Sequence, residues 1–368
     1  MGILETFGHG GDITTAAEVF GIPSSQMLDF SANINPLGPP ARIMEKLPDL
    51  FRTIVHYPDS GQRMFRRVLA ERLQIDQAQL LAGNGAAECM ALALQGLAPA
   101  RVGVVYPCFS EYEQLANAYQ IPVSSCLGRE ENHFRPDMKE LRRLIETTDL
   151  VFLGHPNNPT GMLYTQGQLE QMAEWAKRYH TYLVIDEAFL DFVEPAGQPT
   201  LFHQISNNPK IVLIRSMTKF YAIPGLRLGY TIAHPSVIQQ MKRKQVPWSV
   251  NQLALAVGTM CLAEQEYETV TRRLIQNERE HLCQSMRKHF GWQVWEGAAN
   301  FLLTRLPSQV TAEQFQWNMG RKGILIRSCA DYPGLTIRDV RFAVRTRGEN
   351  DKLLDTISKV LREVCIVL

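Results

Sequence analysis

The segment Arg215-Ser216-Met217-Thr218-Lys219-Phe220-Tyr221-Ala222-Ile223-Pro224-Gly225-Leu226-Arg227-Leu228-Gly229-Tyr230 sets one lysine between hydroxyl residues, with an arginine eight positions on. The apolar run Ile211–Arg215 in front of it reads as a strand. A lone lysine reads as a solvated surface amine. Near two hydroxyls and a guanidinium, Lys219 suits an aldehyde that carries a phosphate. The amine forms a Schiff base, and Ser216, Thr218 and Arg227 hold the anion.

Three other segments gain meaning beside this one. In Tyr182-Leu183-Val184-Ile185-Asp186-Glu187-Ala188 a carboxylate ends an apolar strand. By itself Asp186 reads as a helix cap or turn residue. Beside Lys219 it could keep a pyridine nitrogen protonated and make the ring an electron sink. The segment His155-Pro156-Asn157-Asn158-Pro159-Thr160-Gly161 is good turn chemistry, and its asparagine amides could also donate to a cofactor oxygen. Gly83-Asn84-Gly85-Ala86-Ala87-Glu88 opens an amphipathic helix whose free N–H groups favour a phosphate. It is not the dinucleotide fingerprint: a third glycine is missing, and no strand clearly precedes it.

Apolar runs alternate with helical patterns between about residues 60 and 245. Strands are expected at Val102–Tyr106, Ile121–Cys126, Leu150–Gly154, Tyr182–Asp186, Ile211–Arg215 and Leu228–Ala233. Helices are expected at Ala86–Leu97, Ser110–Tyr119, Pro136–Glu146, Gln166–Tyr179 and Pro235–Lys244. This alternation predicts βαβ units, an α/β fold and a mostly parallel sheet with ligands at the strand C-terminal ends. From Asn251 to Phe290 the pattern is long helix, one or two. Short strands at Trp292–Trp295, Phe301–Arg305, Gly323–Ile326 and Val340–Val344 follow, with helices near Ala312–Lys322 and Glu349–Val364. These form a smaller α+β unit. The first 45 residues carry turn signals without strong periodicity. We assign 1–45 as an N-terminal segment packing with the small domain, 46–250 as the large domain and 251–368 as the small one.

Composition narrows the function class. Lys+Arg 38 against Asp+Glu 37 leaves +1, with no charged block, so nucleic acid and membrane surfaces have no electrostatic support. No run approaches the ~18–20 apolar residues of a membrane helix, and Met1–Phe20 lacks a signal-peptide core. The seven cysteines are scattered without a C-x-x-C pair, which reads as a reduced, cytoplasmic protein with no metal site.

Taken in order, Gly85-Ala86-Ala87-Glu88, Asn157-Asn158-Pro159-Thr160-Gly161, Asp186-Glu187-Ala188, Ser216-Met217-Thr218-Lys219 and Arg227-Leu228-Gly229 resemble the fold-type I pyridoxal-phosphate enzymes. Within these the chain is similar to the histidinol-phosphate aminotransferase branch. His9-Gly10-Gly11, Asp29 to Gly38, Lys219 to Arg227, and Ile326 to Leu335 resemble the threonine-phosphate decarboxylases of cobalamin synthesis. Those enzymes convert L-threonine O-3-phosphate to (R)-1-aminopropan-2-yl phosphate and CO₂.

The resemblance implies pyridoxal 5'-phosphate as cofactor and a role for each residue. Lys219 would carry the cofactor and Asp186 would pair with its ring nitrogen. Asn158 would donate to its 3-oxygen, and Phe109 would stack on the ring. Ala86 and Ala87 N–H groups, Ser216, Thr218 and Arg227 would hold its phosphate. Tyr57 matches a tyrosine that reaches the neighbouring subunit's cofactor phosphate, which implies a homodimer. The substrate carboxylate would meet Arg341, with Asn33 near, and the substrate phosphate would meet His9, Gly10 and Arg327. Arg327 and Arg341 fall in a stretch with seven arginines and lysines from Arg321 through Arg347, which suits a substrate bearing two anions. Without the resemblance, His9 reads as an exposed residue and both arginines as surface charges.

Two positions depart from the pattern. Ala87 stands where the aminotransferases tend to carry Asp, and Phe189 where many relatives have a tyrosine on the 3-oxygen. Asn158 then carries more of the 3-oxygen contact. The motifs do not distinguish decarboxylation from transamination, because a rotation of bound substrate separates the two. A histidinol-phosphate or related aminotransferase is the alternative, and a binding protein without turnover is a third reading.

Overall fold

In the computed structural model, which describes residues 10–367 with side chains to Glu363, the chemistry-bearing loops emerge from one edge of a seven-stranded sheet. A short strand, β1 (Leu28–Asp29), precedes that sheet. Its members are β2 (Leu80–Gly83), β3 (Val102–Tyr106), β4 (Val123–Leu127), β5 (Leu150–Gly154), β6 (Tyr182–Asp186), β7 (Ile211–Ser216) and β8 (Gly229–Ala233). They stand in the order β2-β8-β7-β6-β5-β3-β4, and only β8 runs antiparallel to its neighbours.

β5, β7 and β8 are buried at every residue, because helices cover both faces of the sheet. The covering helices have local start signals. Thr165 and Gln168 form a capping box for the helix Gln166–Tyr179, and Asp137 accepts from Lys139 N–H ahead of the helix Met138–Thr147.

The order of the sheet decides where a ligand can sit. The chain leaves β3 towards β4 on one side, then crosses back to β5, β6 and β7 on the other. Loops after β3 and β5 therefore diverge and open a crevice at the strand ends. Gly154 of β5 lies beside Asp186 of β6, and Asp186 beside Ile214 of β7.

Beyond the sheet, helices Gln252–Cys261 and Gln265–Phe290 lead to a second, four-stranded sheet. It contains β9 (Gln293–Trp295), β10 (Phe301–Arg305), β12 (Arg327–Ser328) and β13 (Asp339–Ala343), in the order β12-β13-β10-β9. A separate strand, β11 (Ile324–Leu325), pairs parallel with β1.

Several expectations are corrected. A strand, β2, does precede Gly83-Asn84-Gly85, although at four residues it is too short for periodicity to reveal. The helix Ile13–Phe20 and the start of the helix Ala41–Phe51 fall within the first 45 residues, where no strong periodicity was seen. The expected strand at Ile121–Cys126 starts later, at Val123, because Ile121 N–H closes the preceding helix on Ala116 and Pro122 has no N–H. Gly323–Ile326 is not one strand; β11 and β12 pair with different partners on either side of Ile326.

Candidate active site

Where β2 and β7 end and β8 begins, Gly83, Ser216 and Gly229 stand in one row. The helix Gly85–Leu97 starts there. A Cβ at Gly229 would lie 2.6 Å from Ala86 N, so only glycine lets the helix start so close to the sheet. Gly85 has φ +81°, and a Cβ on it would lie 2.6 Å from an Arg227 guanidinium nitrogen. The guanidinium thus sits against the positive end of a helix. Like partial charges brought together this way suit an anion between them.

This corner opens into a cavity of about 550 Å³, within the usual range for small-molecule sites. Ala86, Ala87, Thr218, Lys219 and Arg227 line it beside this helix start. Ser216 is among the predicted residues the cavity does not reach. It is buried behind Thr218, with the two hydroxyl oxygens 2.7 Å apart, and it caps the short helix Met217–Phe220 that carries Lys219.

Burial lowers the Lys219 pKa below the usual lysine value, helped by the charges of Arg227 and Arg341 and opposed by Asp186 and Glu111. A neutral amine is therefore more accessible here than on the surface. Asp186 lies on the same cavity, and burial pushes its pKa up. Its Oδ1 accepts from Ala188 N–H at 3.0 Å and its Oδ2 from the Tyr112 hydroxyl at 2.8 Å; both bonds, with Lys219, oppose the shift. An aimed carboxylate short of counter-charge fits a ligand that brings a cationic N–H.

The two asparagines after β5 have separate tasks. Asn157 donates to Pro107 O and to Thr160 Oγ1, each at 2.9 Å, and holds the turn together. Asn158 faces the cavity, and its Oδ1 accepts from Arg341, which orients its amide N–H₂ elsewhere. Phe109 lines the cavity, edge-on to Tyr112 at 5.7 Å. Phe189 also lines it, packed edge-on against Phe301 at 5.1 Å.

The opposite wall comes from the second sheet and the N-terminal segment. Arg327 and Arg341 face each other in the β12–β13 register, both 5% exposed and both on the cavity. Arg341 also donates to Ser31 O at 2.6 Å. Gly10 packs flat on Ser31, where a Cβ would lie 2.3 Å from the Ser31 carbonyl. Asn33 is buried on this wall, and its Oδ1 has no hydrogen-bond partner among the described residues. An orphaned buried acceptor of this kind is costly unless a ligand donates to it. His9 lies outside the described residues. Tyr57 is not brought to the cavity; it is 81% exposed and its ring rests on Trp248 at 4.8 Å.

Comparison with known proteins agrees with this arrangement. Residues 25–357 match the family described as aminotransferase class I and II.

The chain belongs to that family.

It is 37% identical, over 96% of both chains, to a threonine-phosphate decarboxylase from Salmonella typhimurium. Among solved structures, a histidinol-phosphate aminotransferase from Clostridium acetobutylicum has 29% identity and TM-score 0.86 over 92% of this chain and 100% of its own. One from Sinorhizobium meliloti, solved in complex with pyridoxal-5'-phosphate, has TM-score 0.88 over 97% of this chain and 96% of its own at 20% identity; it shares the fold. The expected fold-type I architecture is thus the one this family member has.

Motif reading missed Tyr112, Tyr332 and Glu111, all on the cavity wall. Tyr112 lies in the first turn of the helix Glu111–Ala118, three residues after Phe109, and its ring meets Phe109 edge-on. Tyr332, whose ring lies 5.6 Å from the Arg327 guanidinium carbon, had no signal beyond its place in the Arg327–Leu335 stretch.

Proposed function

We propose that this chain decarboxylates L-threonine O-3-phosphate with pyridoxal 5'-phosphate, yielding (R)-1-aminopropan-2-yl phosphate and CO₂ in cobalamin biosynthesis. The relative from Salmonella supports this reading. The observation that carries it is the buried pair Arg327 and Arg341, opposite each other across two strands and on the cavity wall. A short amino acid with a carboxylate and a phosphate needs two such anchors.

The residues fit the cofactor. The helix start at Gly85–Ala87, Thr218 and Arg227 would hold its phosphate, with Ser216 positioning Thr218. Asp186 would pair with the ring nitrogen, Asn158 would donate to the 3-oxygen and Phe109 would stack on the ring. When bound, the cofactor supplies an aldehyde for amines and a cationic ring that draws electrons from a breaking bond. Lys219 would hold it, and Lys219 or a water would then return a proton to the substrate Cα. Arg341, with Asn33 and Asn158, holds the carboxylate; Arg327, with His9 and Gly10, holds the substrate phosphate. The phosphate grip would turn the substrate so that its carboxylate stands across the ring, the arrangement that favours loss of CO₂ over loss of a proton.

The reading also makes the protein a cytoplasmic homodimer with units 1–45, 46–250 and 251–368. The β1–β11 pairing supports placing the first unit with the last. Phe51, Ile54, Val55, Tyr57, Val246 and Trp248 are each exposed, and the Tyr57 and Trp248 rings lie 4.8 Å apart; apolar side chains of this kind suit a covering partner. Tyr57 would then reach the partner's cofactor phosphate. A monomeric mass in solution with full activity contradicts the dimer. Among the described residues no helix is long and apolar enough to cross a membrane.

A second reading, a histidinol-phosphate aminotransferase, draws on the Clostridium structure. Product analysis separates the two. The decarboxylase releases CO₂ from L-threonine phosphate without a keto-acid; the aminotransferase turns over only with 2-oxoglutarate as acceptor. No CO₂ at saturating L-threonine phosphate overturns the proposal.

A further inference from the structure

Tyr112 is 1% exposed, yet it lines the same cavity as Lys219. Its ring stacks on Phe152 at 5.2 Å with planes 10° apart, and it stands edge-on to Phe109. Phe152 lies in the centre of β5 and is fully buried, so the phenol is held from behind by the sheet. Gly154, two residues further along β5, leaves the space that this geometry needs. A Cβ there would lie 3.3 Å from the Tyr112 hydroxyl and 2.8 Å from Asn157 Oδ1.

That hydroxyl donates to Asp186 Oδ2, while Ala188 N–H donates to Oδ1. Both carboxylate oxygens are thus gripped from the protein side, and the carboxylate has one orientation. We propose that Tyr112 is the positioning residue that keeps Asp186 ionised and aimed, so that the proton of the Asp186–ring nitrogen pair stays on the ring nitrogen. This rests on the assignment of pyridoxal 5'-phosphate to the cavity.

The physical argument is a competition for one proton. Burial favours the neutral acid at Asp186, and Glu111 adds like-charge repulsion. The Tyr112 bond, the Ala188 N–H and the Lys219 charge oppose both. Tyr112 itself does not ionise: burial and the adjacent carboxylate raise its pKa well above the ordinary tyrosine value. It therefore acts as a fixed donor. A donor to a buried carboxylate favours the anion, and the anion favours a protonated ring. Without the hydroxyl, the pair Asp186–COOH with a neutral ring gains population, and the ring becomes a weaker electron sink.

The test uses Tyr112→Phe, which removes one oxygen and keeps both ring contacts. Wild type and variant are loaded with ¹⁵N-ring-labelled pyridoxal 5'-phosphate. The ring ¹⁵N signal is read across pH, with the cofactor dissociation constant read beside it. In the wild type the signal holds the protonated position up to a single transition at the alkaline end of the range. In the variant it moves towards the neutral-pyridine position within the same pH range, and cofactor binding weakens about tenfold. A variant signal that coincides with wild type overturns the proposal. A wild type that takes up no cofactor overturns the cofactor assignment, a separate result. If Tyr112→Phe does not fold, 3,5-difluorotyrosine at position 112 decides. This stronger donor must hold the signal at the protonated position to higher pH than wild type, and an unmoved transition overturns the idea.

Discussion

Replacing Arg341 with lysine keeps the charge and removes the fork. Arg341 serves Asn158 Oδ1 and the Ser31 carbonyl from two different nitrogens and faces the cavity besides. An ammonium is a point donor on a flexible stem and cannot keep both partners while meeting a carboxylate in plane. At least one hydrogen bond to a charged group is lost on substrate binding, about 1.5–3 kcal/mol. That corresponds to a fall of about 10- to 150-fold in kcat/KM for L-threonine phosphate.

The companion change, Arg327→Lys, sits directly across the strand pair and weakens the phosphate grip by a similar factor. CO₂ release gives kcat/KM for each variant. The product (R)-1-aminopropan-2-yl phosphate, which has a phosphate and no carboxylate, serves as a competitive inhibitor. Its inhibition constant is expected to rise in Arg327→Lys and to stay near wild type in Arg341→Lys. If the product weakens equally in both variants, or if Arg341→Lys keeps wild-type kcat/KM, the division of anions between the two arginines is refuted.

Other outcomes follow from the same geometry. Glu187→Gln leaves Arg215 without its buried carboxylate partner at 2.8 Å and should cost about 3–5 kcal/mol in urea unfolding; an unchanged midpoint counts against a structural role. Gly161→Ala puts a Cβ 2.8 Å from Gly297 Cα at a φ of +70° and should cost about 2–4 kcal/mol. It should also lower kcat/KM, since the Asn158 turn must shift; wild-type values for both measurements would contradict this. Capture of the cofactor by the apoprotein requires a neutral Lys219. Its lowered pKa means the amine sheds its proton at lower pH than a surface lysine, so the rate of capture should level off below the ordinary lysine range of about 10.4. Arg341→Gln removes a charge that depresses this pKa and should move the profile to higher pH, and a fixed profile would sink the electrostatic account.

The chain order of Lys219, Asp186, Asn158 and the Gly85 helix start was legible because each group is tied to a local signal. β5 and β6 match their predicted bounds residue for residue, since continuous apolar runs ended by turn residues leave little freedom. β2 and the helix Ile13–Phe20 were not legible. One is too short to show a period, and the other is an eight-residue helix with only one fully buried position, Ala16.

Sequence alone determined the fold class and the cofactor, though not the choice between decarboxylation and transamination: hydrophobic period, turn residues and a hydroxyl-flanked lysine are properties of neighbours along the chain. Only the tertiary structure decided which groups meet. Arg327 and Arg341 come to face each other through strand register, Tyr112 on the helix after β3 joins Asp186 at the end of β6, and Ser216 falls behind Thr218 rather than onto the cavity. The Tyr112–Asp186 contact joins residues 74 positions apart; it depends on how the sheet orders its strands, and no local pattern encodes that order.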